Sequence, residues 1–518
     1  MKSKIFLFIA LGTMLFIAPS CKKSLEEEPF SSLSSANVYS SEDGLKKATF
    51  GIYDGYVLKP WLYQFFYYVL TETGHQYSTF GTSGAFYDVD LYYRFANDPK
   101  STAGSLAWTQ MYTIISRCNS VIANANKAVS DEAVATKYVA EARLLRGYAY
   151  FNLVRLFGDV PIVLNEITSL SQKDDIFGAR QPVETVYNTI VEDMKFGEAN
   201  LPDKWTNTND IGRVTAGIAK ALLGKVYVTM AGKPLNKTEY FAQAADKLKE
   251  IVGDANEAKY GFGMLQNFAD VFASANERNK ELVLTFGMFY NSSNTNASIM
   301  PFFLLPFEQN ISANTYKLYE LYEEDDDRRD VTLIPSIVNA NDGHVLEYRP
   351  ADTSYYDVTA GKLFGAKRAG IGFGKYQRTF RDAGAPPWGY NTDYTHMRFT
   401  DALLLLAEAL NEDGKPAEAL PYINRVRERA HASTLNITDQ ELLRAAIRKE
   451  RRLELTGEHT TVFDIRRWGT LQSEIAAMTP DQIVNRDLNP YNPKFEIYPV
   501  PQGELDANPA LQQTDVWK

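Results

Sequence analysis

Cysteine is nearly missing from this 518-residue chain, which carries only Cys21 and Cys118. If Cys21 is committed elsewhere, as its surroundings indicate, no intramolecular disulfide can form. The fold must then be held by packing, which a chain of this length can supply. Positive charge is also short: 54 Lys and Arg face 64 Asp and Glu, a formal net of −10. That balance argues against a nucleic-acid partner, which needs clustered cations. The five histidines (His75, His344, His396, His431 and His459) stand without metal-ligand spacing. Neither a Gly-x-Ser-x-Gly elbow nor a phosphate-binding glycine loop occurs. No cofactor, no metal and no catalytic set is expected, and the chain does not read as an enzyme.

Long apolar runs are absent too, with one exception at the start. Met1–Lys4 holds two lysines, and Ile5–Ala18 is a nearly unbroken apolar run of 14 residues. This is the layout of a signal-peptide hydrophobic region, too short for a stable transmembrane helix. Next comes Ala18-Pro19-Ser20-Cys21. A small residue before a cysteine here resembles a bacterial lipoprotein cleavage site, although Ala18 stands where a leucine-like residue is usual. Residues 1–20 are therefore expected to be a signal peptide, and Cys21 an acylated N-terminus that joins the protein to a membrane. Without Lys2 and Lys4 the basic residues fall from 54 to 52 against 64 acidic, a net of −12. Residues 21–35, with Lys22-Lys23-Ser24-Leu25-Glu26-Glu27-Glu28, read as a solvated, flexible tether.

Residues 36–518 read as one globular domain containing four clear helical periodicities. Lys137–Phe157 aligns Leu145, Tyr148, Asn152 and Leu156, and Arg213–Met230 places Ile218, Leu222, Val226 and Met230 four apart. Arg398–Asn411 is apolar all round over Ala402–Ala407, hence buried. Glu441–Leu455 sets Leu442, Leu443, Ile447 and Leu453 on one side of a charged helix. Gly414 then Pro416 stops one helix and starts another that runs to Arg429. Ala407 and Ala419, twelve apart, allow these two to cross closely, which is tetratricopeptide spacing. Leu223-Gly224 with Tyr227 opens a second such pair, answered by Ala244, Leu248 and Ile251 across a longer turn, Ala231-Gly232-Lys233-Pro234. The expected fold class is mostly α. A tetratricopeptide-like helix-pair scaffold (100–252 and 398–470) carries long loop-rich insertions and a few short strands.

The loop-rich segments are 74–95 and 255–397, where Gly, Asn, Ser and aromatics dominate. The chain holds 31 Tyr, 29 Phe and 6 Trp, and those in polar, Gly-rich stretches are hardest to assign to a core. Ordered loops on a rigid scaffold are where binding residues tend to sit.

Several stretches carry a family resemblance. They include Glu141-Ala142-Arg143-Leu144-Leu145-Arg146-Gly147-Tyr148-Ala149-Tyr150-Phe151-Asn152-Leu153 with Phe157-Gly158-Asp159-Val160-Pro161, and Ala221-Leu222-Leu223-Gly224-Lys225-Val226-Tyr227. Leu405-Leu406-Ala407-Glu408-Ala409, Ile423-Asn424-Arg425-Val426-Arg427 and Glu450-Arg451-Arg452-Leu453-Glu454-Leu455 follow in order. Phe463-Asp464-Ile465-Arg466-Arg467-Trp468-Gly469, Tyr498-Pro499-Val500-Pro501 and Asn508-Pro509 close the series. Together they resemble the SusD/RagB nutrient-binding lipoproteins of Bacteroidetes. The likeness departs after Glu458, where His459, Thr461 and Val462 replace the usual Gly, Arg and bulky aromatic. The resemblance implies four tetratricopeptide-like helix pairs and docking on a SusC-like TonB-dependent outer-membrane barrel. It also implies capture of an oligosaccharide or other nutrient at the cell surface. The acidic tether resembles the export signal that sends such lipoproteins to the outer face of the outer membrane.

Candidate residues divide by chemistry. Glu450 and Glu454, one helical turn apart, read as structural ion-pair partners of Arg451, Arg452, Arg466 and Arg467 rather than as an acid/base pair. Glu323–Asp327 lacks the alternation of a calcium loop and reads as a solvated helix end. Cys118 reads as a small core residue, and Trp108, Tyr112 and Trp468 as scaffold. Sugars offer flat C–H faces rimmed by hydroxyls, which aromatic faces and Asn, Asp or Arg can match. On that chemistry the expected ligand-binding residues are Tyr77, Tyr87, Tyr92 and Arg94 in one loop, and Trp388, Tyr390 and Asn391 in the other. The rival expectations are a helical glycoside hydrolase, or a structural partner of the barrel with no ligand site.

Overall fold

The main helices follow the apolar periodicities, and several begin at a capping side-chain oxygen. In the computed structural model, which describes residues 38–57, 67–80, 87–287, 312–339, 342–364, 370–375, 393–479 and 488–518, these helices are α1 (Glu42–Val57), α2 (Tyr87–Tyr93), α3 (Thr102–Ala128), α4 (Glu132–Phe157) and α5 (Val183–Asn200). They continue with α6 (Ala216–Ala231), α7 (Tyr240–Lys249), α8 (Phe399–Glu412), α9 (Pro416–Arg429), α10 (Gln440–Leu455) and α11 (Thr461–Trp468). Asp131 accepts from the backbone N–H groups of Ala133 and Val134 and so starts α4 five residues earlier than its apolar pattern suggests. Asp439 caps α10 in the same way through Leu442 N.

From α3 to α9 each helix packs on the next, and α10 lies against α8. Both pairs read from the sequence form, α6 with α7 and α8 with α9. A Cβ on Gly224 would sit 2.5 Å from Leu248, so the glycine is what admits Leu248 between α6 and α7. In α8 every side chain from Phe399 to Asn411 is buried, as its all-round apolar run requires. Cys118 is fully buried in α3, and burial pushes its thiol above the ordinary range.

The segment between α7 and α8 builds short strands in place of long helices. β5 (Ser336–Val338), β6 (Val345–Arg349), β7 (Ser354–Asp357) and β8 (Lys362–Leu363) form an antiparallel sheet in that order. Three two-stranded ladders accompany it: β1 (Ser78–Phe80) with β3 (Ser312–Asn314), β2 (Leu282–Phe286) with β10 (Tyr394–Arg398), and β4 (Leu333–Ile334) with β9 (Gly372–Phe373). Segment 74–95 is less loop-like than expected, since it holds β1 and α2.

A buried ion network binds this region to the scaffold, and it corrects two expectations. Glu450 and Glu454 do pair structurally, but their partners come from distant elements. Arg328 reaches Glu454 at 3.0 Å and Glu450 at 2.5 Å, Arg427 reaches Glu450 at 2.6 Å, and Arg429 and Arg398 reach Glu454 at 2.6 and 3.0 Å. Arg451 and Arg467 instead hold Asp401, Asp464 and Glu408, and Arg452 holds Glu474. The run Glu323–Asp327 is not simply a solvated end: Asp326 is buried and clamps Arg328, itself fully buried. Sequence neighbours cannot reveal such partners, because the helix directs adjacent side chains to different faces.

Candidate functional site

A cleft of about 550 Å³ opens where α1 passes the β2–β10 ladder, a size within the usual range for small-ligand sites. The helix turns Phe50, Tyr53, Asp54 and Val57 toward it at helical spacing. Ile211 and Arg213 approach from the loop before α6, and Phe286, Gly287 and Asp393 from the ladder, with Arg278 just before it. The lining thus combines an apolar floor with Asp, Asn and Arg at the rim.

The floor is rigid. Phe286 stacks on Tyr56, with centroids 4.2 Å apart and 10° between planes, and meets His396 edge-on at 5.0 Å. His396 Nδ1 bonds the Tyr148 hydroxyl at 2.7 Å, and Tyr67 donates to Asn152 Oδ1 at 2.6 Å. Burial, then the charges of His459, Lys225 and Arg155, keeps His396 neutral well below its ordinary pKa. His459, whose Nδ1 meets Thr71 Oγ1 at 3.0 Å, is pushed down to about 3 by burial and by Lys225. His459 stands where the resembled family carries Gly, and it adopts φ 61°, the left-handed region that glycine favours.

One wall is charged but already satisfied. Arg213 stacks on Trp205 at 3.9 Å and bonds Glu141, which also accepts from the Tyr53 hydroxyl. Burial disfavours the Arg213 cation, but the bonds and charge of Glu141 outweigh it and hold the guanidinium above its usual range. The mouth is freer. A Cβ on Gly287 would lie 3.5 Å from Asp393 Oδ1 and 3.9 Å from Arg278 Nη2, so these two charges flank the glycine. Beside them, burial and then the charge of Asp393 raise the Glu277 carboxyl. Among the described residues, no group of three or more His, Cys, Asp or Glu side chains is placed to hold a metal ion, and no helix is long and apolar enough to cross a membrane.

Among the described residues, Tyr77, Tyr92 and Arg94 of the expected ligand set have separate structural surroundings. Trp388, Tyr390 and Asn391 lie outside the described residues, as does Cys21; Asp393, two positions after Asn391, lines the cleft. Tyr87 begins α2. Tyr77 is half-buried beneath Arg452, whose guanidinium lies 4.8 Å from its ring, and packs against the small buried cluster that includes Tyr68, Leu318 and Phe373. Arg94 is committed to Asp90 at 2.7 Å. Tyr92 is a correction: it is 4% exposed, accepts from Gly104 N at 2.9 Å and packs edge-on against Tyr498, so it serves the core and presents no face to a ligand. Sequence reading missed Phe50, Tyr53, Asp54 and Val57. Their spacing of i, i+3, i+4 and i+7 is the helical signal that would have found them.

Comparison with known proteins is consistent across the chain. Residues 232–517 match the SusD family, and residues 23–228 match a SusD-like family described as starch-binding and associating with the outer membrane. SusD-like protein P2 of Formosa agariphila is 29% identical over 419 residues, 77% of each chain. A solved SusD homologue from Bacteroides thetaiotaomicron superposes with a TM-score of 0.77 at 21% identity, over 93% of this chain and 99% of that one. A laminarin-binding SusD-like protein superposes with a TM-score of 0.73 at 23% identity, over 92% of this chain and 100% of that one.

Proposed function

This chain belongs to the SusD family, and on that footing we propose that it binds oligosaccharide at the outer face of a bacterial outer membrane. It holds the ligand in the α1/β2–β10 cleft and delivers it to a SusC-like TonB-dependent barrel. Cys21 is the lipid anchor, and Trp388, Tyr390 and Asn391 complete the site from the stretch of chain that precedes Asp393. The observation that carries the reading is the cleft itself. A floor of Phe50, Tyr53, Ile211 and Phe286 suits the flat C–H face of a sugar ring, and Asp54, Asn209, Arg278 and Asp393 suit its hydroxyl rim. The starch-binding description of one matched family and a laminarin-binding structural neighbour support a carbohydrate ligand. Binding is noncovalent and uses no cofactor.

A second reading has one observation in its favour. Glu277 lies near enough to Asp393, which lines the cleft, for that charge to help raise its carboxyl, and a glycosidase needs two such carboxylates. Calorimetric titration with soluble β-glucan and starch oligosaccharides, followed by chromatography of the ligand, separates the readings. Saturable binding with the ligand recovered intact supports the proposal. Release of shorter products assigns a hydrolase. Co-purification with the barrel and no affinity for any saccharide leaves a structural partner.

A further inference from the structure

A second cavity, of about 230 Å³, lies in the helical scaffold between the end of α4, the start of α5, the turn after α6, and α11. It shares no lining residue with the cleft. Its walls bring together Arg155, Lys233, Arg466 and Arg467 with a single carboxylate, Glu496. Arg467 is neutralised by Glu408 and by Asp464. The other three cations have no carboxylate partner among the described residues, in a chain whose net charge is −10.

Each of the three is held in place by something other than an acid. The Arg155 guanidinium is clamped between the rings of Phe151 and Phe463, at 3.8 and 3.7 Å, and donates from Nε to Phe151 O at 3.0 Å and from Nη2 to Asn152 Oδ1 at 2.6 Å, which leaves Nη1. Arg466 lies over the Tyr498 ring at 4.4 Å and gives one bond, from Nη2 to Phe495 O at 3.0 Å. It is only 9% exposed, yet its Nε and Nη1 are buried without a hydrogen-bond partner. Lys233 lies across Gly469: a Cβ there would stand 2.8 Å from its Nζ, so the absent side chain makes room for the ammonium. Buried charged donors left unsatisfied are costly and rare, and such donors point to a partner. Arg466 also borders a void of about 10 Å³ beside Asn97, large enough for one water and too small for an oxyanion. A water there could serve one orphan nitrogen of Arg466 and would leave the other unpaired.

We propose that this cavity is an oxyanion-binding site, with Arg155, Arg466 and Lys233 as its donors and a carboxylate or sulfate group as its ligand. The guanidinium fork matches the paired oxygens of such groups, and the flanking rings of Phe463 and Tyr187 give the cavity apolar walls. The ligand is either a free inorganic anion or the acidic substituent of a saccharide. The inference is independent of the proposed function, since neutral oligosaccharide in the cleft touches none of these residues.

The test is calorimetric titration of the whole protein with sodium sulfate and with sodium glucuronate, against sodium chloride at matched ionic strength. Saturable binding of either oxyanion is expected, weakened about tenfold or more in Lys233→Gln and in Arg466→Gln. Binding of glucuronate assigns a carboxylated sugar, and binding of sulfate alone assigns an inorganic anion or sulfate ester. Should Arg466→Gln fail to fold, the exposed Lys233→Gln decides. Absence of saturable binding, or equal binding in Lys233→Gln, overturns the proposal and leaves the cations as caps on helix carbonyl ends.

Discussion

Replacing Glu454 by Gln tests how the loop-rich half of the molecule is held to its scaffold. The carboxylate lies inside a buried network of five cations (Arg328, Lys375, Arg398, Arg427, Arg429) and five carboxylates (Glu281, Asp326, Glu450, Glu454, Glu458). It touches three of those cations directly, Arg328, Arg398 and Arg429. Although burial opposes its charge, Arg429, Arg398 and Arg328 hold its carboxyl well below the usual carboxylate range, so it is ionised at neutral pH. Gln keeps the shape and removes the negative charge that Arg328, Arg398 and Arg429 share. Breaking a buried pair on one side costs about 3–5 kcal/mol, a large part of the roughly 5–15 kcal/mol that typically separates folded from unfolded chains. Urea unfolding of both proteins, followed by fluorescence and by circular dichroism, should show a loss of stability of that size. A loss below about 1 kcal/mol would refute the reasoning, because it would mean that solvent or neighbouring groups take over the role of the carboxylate.

Further predictions rest on single features. Gly224→Ala pushes a methyl group against Leu248 and should cost about 1–3 kcal/mol by thermal unfolding. His75, His396 and His459 are all buried with depressed pKa values. Their unfolded forms therefore take up protons that the folded ones refuse as pH falls below about 6.5. Stability should drop between pH 6.5 and about 4.5 by up to ~1.4 kcal/mol per pH unit for each histidine, and His459→Gln should flatten that slope measurably. Glu72, buried with a carboxyl raised by that burial, works in the opposite sense. Cys21→Ala should move the protein from the membrane fraction to the soluble one, and tight retention would leave the barrel as the only anchor.

The scaffold was legible because helices repeat their instructions locally. Apolar periodicity marked α4, α6, α8, α9 and α10, and the Gly414/Pro416 punctuation located the α8–α9 turn. The strand-rich region was legible only as a change in composition, since strands of two to five residues carry too few alternations to register. The ion network was invisible because pairs such as Arg398 with Glu281 join residues 117 positions apart. Tyr92 misled for a related reason. An aromatic among glycines and acids reads as a binding residue, and only α3, closing through the Gly104 amide, shows it to be core.

The central claim is that neutral oligosaccharide is bound in the cleft beside Asp393, and one measurement addresses it directly. Affinity for the tightest soluble oligosaccharide should be compared among the unmodified protein, Phe50→Ala and Trp388→Ala, with thermal unfolding to confirm that all three are folded. Phe50 is 38% exposed, so its removal spares the core. The account predicts a loss of about tenfold or more in each variant. Unchanged affinity in both folded variants would contradict it and place the ligand elsewhere on the molecule.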